Sequence, residues 1–255
     1  MTSVLSVDSK ENLLDGVAGV LLDIDDTLVD TRAAFGSGIA AVARAYLPDL
    51  DEDGIARALE LWRSDPSGHY RAHTRGELSM EAQRLLRANE VHERFGGPLL
   101  DHVSFPAWDA VFREGFEAGW VAHSDAAACV ASLREAGIAV GALTNAPGEM
   151  SARKLARVGL AGEVPLLVSL DTFGVGKPDP RLFLEACRLL GTEPTQTLYV
   201  GDELDTDGLG AVGAGLRGVW LDRPGARRGG IHLEDEQVAR EAGVAVVQSL
   251  ADLTA

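Results

Sequence analysis

Lysine is scarce in this chain, with Lys10, Lys154 and Lys177 the only three. Cysteine is scarcer still: Cys129 and Cys187 stand alone, each within a stretch of helical spacing. Two cysteines so placed exclude a disulfide framework and are expected to be small core side chains in a reducing compartment. Basic charge is short as well, since 23 Lys and Arg face 39 Asp and Glu, for a formal net charge of −16. A surface this acidic repels nucleic acid and anionic lipid, and no stripe of interleaved basic and aromatic residues offsets it. An anionic ligand would need local cationic help. No apolar run approaches the roughly 20 residues that span a bilayer. The opening "MTSVLSVDSKENLLDG" has no basic start followed by an apolar stretch, so no secretion signal is expected. No membrane partner is expected, and the cytoplasm is the expected compartment.

What is present is a chain of 255 residues, 46 % of them hydrophobic, enough for one large domain or a domain carrying an insertion. Short apolar runs recur at 17–25, 138–145, 165–170, 197–201, 217–222 and 244–250, and read as strands buried on both faces. Helical patterns at 124–136, 149–159, 180–191 and 206–214 alternate with the later runs. That alternation predicts an α/β fold with a doubly wound parallel sheet. From about 33 to 121 the spacing is helical throughout, too long for an ordinary crossover. The expected division is therefore a core of 1–32 and 122–255 with a helical subdomain of 33–121 inserted above the first strand's end. "DRPGARRGG" (222–230) reads as an exposed loop.

The run "VLLDIDDTLVD" (20–30) raises the question of why a core strand should stop on Asp23, Asp25 and Asp26. Ligands of an open parallel sheet bind outside the carboxyl ends of its strands, which is where these acids fall. Alternation puts positions 23 and 25 on one side of the extended chain, and neighbouring carboxylates repel unless a cation intervenes. The second run ends on Thr144 and Asn145, "GKPDP" brings Lys177 after the third, and "GDELDTD" brings Asp202, Asp205 and Asp207 after the fourth. Acids, a hydroxyl, an amide and one lysine at a single sheet edge suit Mg²⁺ with a phosphoryl group. Each feature also has a plain structural reading. Asp26 and Thr27 can cap a turn, Thr144 and Asn145 can form one before "APG", and Lys177 can be a solvated lysine.

Taken in order, "DIDDTL", "LTNA", "GKPDP" and "GDELDTD" resemble the motifs of the haloacid dehalogenase-like hydrolase superfamily, and the helical insertion resembles the cap of its phosphatases. The resemblance covers residues 17–32 and 122 to about 223. It implies a Rossmann-like core and Mg²⁺-dependent hydrolysis of small phosphorylated metabolites through an aspartyl-phosphate. By position, Asp23 corresponds to the nucleophile and Asp25 to the acid and base that serves leaving group and water in turn. Thr144 corresponds to the hydroxyl holding phosphoryl oxygens, with the substrate-side amide of Asn145 next to it, and Lys177 to the cation neutralising Asp23 and the phosphoryl charge. The metal would take Asp23, the Asp25 main-chain carbonyl and Asp202. Asp207 is favoured over Asp205 as the second acid of the last motif, because the family's acid follows five residues on. Thr27 would support the nucleophile loop on the substrate side.

In the inserted segment, "SGHYRAHTRGELS" (67–79) offers Arg71 or Arg75 as a contact for an anionic leaving group, and Arg32 stands at the entry to the insertion. His69 and His73 would share a helix face, without the glutamate or third ligand of a metal motif. Gly36, Gly38 or the stretch 122–125 would let a cap open and close. Asp25 argues against a dehalogenase, which replaces that second acid. The absence of lysine from 33–121 excludes the Schiff-base chemistry of phosphonoacetaldehyde hydrolase. A phosphosugar mutase keeps every core motif and stays open as an alternative, as does a catalytically silent binding module on the same fold. Sugar phosphates, phosphoglycolate and nucleoside monophosphates all suit the reading as substrates.

Overall fold

Every regular element described between Thr31 and Val121 is a helix, whereas all six strands lie outside that span. The computed structural model of the protein describes residues 13–74, 77–229 and 232–253. Arg75 lies outside the described residues. The chain divides into two compact units, one of Thr31–Val121 and one of the segments on either side of it. Among the described residues no helix is long and apolar enough to cross a membrane.

The helical unit holds α1 (Thr31–Tyr46), α2 (Glu52–Ser64), α3 (His69–Thr74), α4 (Met80–Phe95) and α5 (Phe105–Ala118). Its helices start where the sequence supplies caps: Asp51 accepts from the Gly54 amide at 2.7 Å and Ser79 from the Ala82 amide at 3.0 Å. Its core is aromatic. Phe105, Trp108, Phe112 and Phe116 recur every three or four residues, so they form one stripe along α5. Trp108 stacks on Phe112 at 5.5 Å, and Trp62 of α2 closes on Phe112 at 5.1 Å. Each such ring contributes roughly 1.5–3 kcal/mol by leaving water. Gly38 serves this packing: a Cβ there would lie 3.0 Å from the Phe112 ring, so the glycine lets α1 and α5 approach.

The sheet unit is wholly parallel, in the order β3-β2-β1-β4-β5-β6. The strands are β1 (Gly19–Leu22), β2 (Ala139–Leu143), β3 (Leu166–Val168), β4 (Thr197–Gly201), β5 (Arg217–Leu221) and β6 (Ala245–Val247). Each falls inside an apolar run of the sequence. β1 and β4 are buried at every position, as strands covered on both faces must be. Between them run α6 (Ala126–Glu135), α7 (Gly148–Arg157), α8 (Leu170–Phe173), α9 (Pro180–Leu190), α10 (Gly210–Gly213) and α11 (Glu236–Glu241). "GKPDP" opens α9 as expected: Pro180 occupies its first turn and Asp179 caps it, accepting from the Arg181 amide at 3.0 Å. The helix expected over 206–214 is instead a π-helical turn, Leu204–Leu209, followed by the short α10. Three glycines in "DGLGAVG" weaken an α-helix there, and the wider turn directs Asp207 into the core, where it is buried.

Candidate active site

The strand order places the site. From β1 the sheet grows one way through β2 and the other way through β4, so a crevice opens at the carboxyl end of β1. Asp23 is the first residue beyond β1; its amide donates to the Val200 carbonyl at 2.9 Å and its side chain is buried. The chain then turns tightly. Asp26 takes a left-handed φ of 59° and its amide donates to Val29 at 2.7 Å, the kind of turn aspartate tolerates. Thr27 is fully buried, and among the described residues its hydroxyl has no hydrogen-bond partner.

Lys177 joins three strand ends. Its ammonium has three donors, and they meet Asp23 Oδ1 at 2.7 Å, Asp207 Oδ1 at 2.6 Å and the Tyr199 hydroxyl at 2.7 Å. Tyr199 donates onward to the Leu143 carbonyl at 3.0 Å. The Lys177 main chain is gripped too, since its amide donates to Asn145 Oδ1 at 2.6 Å and its carbonyl accepts from Asn145 Nδ2 at 3.2 Å. Asn145 thus locates the lysine. Thr144 is buried beside it at the end of β2, where its Oγ1 accepts from the Ala146 amide at 3.1 Å.

Burial, reinforced by the carboxylates of Asp207 and Asp25, pushes the Asp23 carboxyl up to about 7 against the downward pull of Lys177. Burial acting on Lys177 alone would lower it, but Asp207 and Asp23 outweigh that and hold its ammonium charged. Asp202 is also raised well above the carboxylate range, first by burial, with Arg228 opposing.

Carboxylate oxygens of Asp23, Asp202 and Asp207 lie within 4.8 Å of one another. Hard oxygen donors at that spacing fit a small divalent cation. Within the trio, Asp207 is the most committed, with Oδ1 on Lys177 and Oδ2 accepting from the Glu203 amide at 2.9 Å. Gly201 makes room for it, because a Cβ at that position would lie 2.2 Å from Asp207 Oδ2. The glycine of "GD" is therefore a steric requirement. Asp205, the alternative second acid, instead accepts from the neighbouring Thr206 amide at 3.0 Å. Trp220 on β5 steadies Asp202 by donating to its carbonyl at 3.0 Å.

Three site residues escaped the sequence reading. Lys154, buried on α7, pairs with the Asp25 carboxylate. Its signal was a place in the inward stripe of Ser151, Lys154 and Leu155, spaced three and four apart. Tyr199 lay within an apolar strand that revealed burial but not its hydroxyl's partners. Arg228, in the loop read as exposed, bonds Asp202 Oδ2 at 3.1 Å, pairs with Glu203 and lies 3.9 Å from Asp26. Charge balance draws it inward, since these acids are crowded.

The candidates in the helical unit have partners of their own. Arg71 donates to the Asp65 carbonyl at 2.9 Å and pairs with its carboxylate at 3.8 Å. The Arg32 carbonyl accepts from Arg63 at 2.7 Å. His69 lies 3.7 Å from Glu90, and His73 Nδ1 lies 2.9 Å from the Leu78 carbonyl.

Comparison with known proteins follows the same lines. The family model described as haloacid dehalogenase-like hydrolase matches residues 17–215. A phosphoserine phosphatase of Thermus thermophilus is 30 % identical, the match covering 88 % of this chain and 94 % of that one. A glyceraldehyde 3-phosphate phosphatase of Methanopyrus kandleri is 32 % identical over 81 % of this chain and 84 % of its own length. Among solved structures, the HAD-hydrolase YfnB of Bacillus subtilis shares the fold with a TM-score of 0.70 at 21 % identity, covering 93 % of this chain and 96 % of that one.

Proposed function

The chain belongs to the haloacid dehalogenase-like hydrolase family, and from that membership we propose that it is a Mg²⁺-dependent phosphatase of small phosphorylated metabolites, working through an aspartyl-phosphate on Asp23. The observation carrying this reading is the buried Lys177 bridging Asp23 and Asp207 at the carboxyl end of β1. A buried carboxylate with a lysine on one oxygen is oriented for attack and charge-balanced against an incoming phosphoryl group.

In the first step an Asp23 oxygen bonds to phosphorus while the ester P–O bond breaks, its electron pair staying on the leaving oxygen. Asp25 gives that oxygen a proton. In the second step Asp25 takes a proton from water, the water oxygen bonds to phosphorus, and the bond to Asp23 breaks to release inorganic phosphate. Lys177 faces the phosphoryl oxygens from below, and Thr144 holds them from the end of β2. Mg²⁺ would be held by Asp23, Asp202 and the Asp25 carbonyl, with Asp207 completing the acid cluster, and when bound it supplies positive charge to the transferring group. The named activities of the two relatives, both on short phosphate monoesters, support a substrate of that class. Two buried, unpaired cysteines support a reducing compartment such as the cytoplasm.

The test is phosphate release from a panel of monoesters, including phosphoserine, glyceraldehyde 3-phosphate, phosphoglycolate and sugar phosphates, with Mg²⁺ present. Wild type should turn over at least one, and Asp23→Asn should lose about 1,000-fold or more while keeping its circular dichroism. Undiminished turnover in Asp23→Asn would falsify the mechanism.

A further inference from the structure

The chain carries 20 arginines and three lysines, and both lysines among the described residues are buried against acids at the end of β1. Lys177 takes Asp23, and Lys154 takes Asp25. On α7 the contrast is sharp, because Arg153 and Arg157 are exposed while Lys154 between them is 2 % exposed. A compact ammonium fits a narrow interior position that a guanidinium fork would not. Burying it without a carboxylate would be costly, and Asp25, 129 residues away in the chain, supplies one.

Asp25 needs such a partner for a second reason. Its side chain is 31 % exposed, and an aspartate with that freedom exchanges among rotamers. An ammonium anchored on α7 and bonded to Oδ1 restricts that exchange. Proton transfer requires hydrogen-bond distance to the leaving oxygen, and a wandering carboxyl spends little time there.

We propose that Lys154 is the positioning residue of Asp25, holding its carboxyl group where it can protonate the leaving oxygen, and so setting how well the enzyme cleaves esters of weakly acidic alcohols. The proposal rests on the phosphatase reading above. In the step concerned the ester P–O bond breaks, its electron pair remains on oxygen, and the Asp25 proton passes to that oxygen. An aryl leaving group such as p-nitrophenolate departs without the proton; an alkoxide does not. Loss of Lys154 therefore lowers kcat/KM, which reports this first step, for alkyl esters and spares it for aryl esters; the later attack of water, where Asp25 also acts, is common to both. A lysine that merely balanced charge or filled the core would affect both alike.

The experiment measures kcat and KM for p-nitrophenyl phosphate and for the alkyl monoester turned over fastest in the phosphate-release panel, phosphoserine being tried first. The variants are Lys154→Met, Lys154→Gln, Asp25→Asn and the double variant Asp25→Asn with Lys154→Met. Lys154→Met should lower kcat/KM on the alkyl ester about 30-fold, short of the roughly 100-fold or more that losing the acid itself costs, with kcat/KM on the aryl ester within about threefold of wild type. Lys154→Gln, which keeps a donor for Asp25, should fall between. In the Asp25→Asn background Lys154→Met should cost nothing further. Equal loss of kcat/KM on both esters, no loss on either, or additive losses in the double variant overturn the proposal. If Lys154→Met does not fold, the alkyl-to-aryl ratio of kcat/KM in Lys154→Gln decides, and an unchanged ratio overturns the proposal. Failure of the parent reading looks different: turnover of neither ester by wild type, or survival of activity in Asp23→Asn.

Discussion

Lys177 spends each of its three protons on a different acceptor, and only two of those acceptors carry charge. The third, Tyr199, links the lysine to the Leu143 carbonyl at the end of β2, so one hydroxyl closes a network across strand ends. Removing it strands a buried donor and a buried carbonyl at once. Tyr199→Phe should lose about 1–2 kcal/mol, measured as a lower urea midpoint at unchanged slope. At this scale the sequence was legible for residues whose type departs from their surroundings: Asp23, Asp25, Lys177 and Asp202 interrupt or follow apolar runs. Tyr199 and Lys154 were not legible, because alternation and helical spacing report which face is buried and say nothing of what a polar tip touches there.

Among the elements, the start of α6 is tied to the far side of the sheet unit by a single carboxylate. Asp125 accepts two bonds from Arg223, at 2.8 and 2.9 Å, one from the Ser249 hydroxyl at 2.7 Å and one from the Leu250 amide at 2.9 Å. Arg223 also donates to the Thr27 carbonyl at 3.0 Å, so the same knot supports the loop after β1. Asp125 is thereby anchored to the sheet unit. Burial alone would raise the Asp125 carboxyl, but Arg223, Ser249 and the Leu250 amide hold it well below the usual range. A depressed carboxylate contributes stability that is whole above its unfolded value of about 4 and fades as pH falls toward its folded one. Asp125→Asn should therefore cost about 2–3 kcal/mol near neutral pH, somewhat below the roughly 3–5 kcal/mol of a fully buried broken pair because this one keeps some solvent. The difference from wild type in urea midpoint should shrink as pH drops below about 4. A constant difference across that window would place the effect in packing instead.

For the whole molecule, a net charge of −16 sets the field through which any phosphate ester must approach. Lys177, Lys154 and Arg228 are local cations, yet each is already paired with acids of the site. Long-range repulsion of a dianion is screened within about 8–10 Å at physiological salt. Raising NaCl from about 20 to about 150 mM should accordingly lower KM for a phosphate monoester roughly two- to threefold with kcat nearly unchanged, in steady-state assays at constant Mg²⁺. A KM that rises with salt would mean that the paired cations dominate the field at the entrance. Burial pushes Cys129 up to about 12, so the fold has no thiolate to offer at neutral pH.

Sequence alone determined the α/β class, the positions of the six described strands, the helical character of about 33–121 and the acids, hydroxyl and lysine at the strand ends, because hydrophobic period and abrupt changes of residue type are local properties of a chain. Only tertiary structure decided which polar groups meet. Lys154 reaches Asp25 across 129 residues, Arg228 folds back onto Asp202 and Glu203, and Asp207 rather than Asp205 turns inward against Gly201. These choices follow from burial: once strands and helices close over a set of charges, each must find the nearest opposite charge or donor in space, and that distance is not written along the chain.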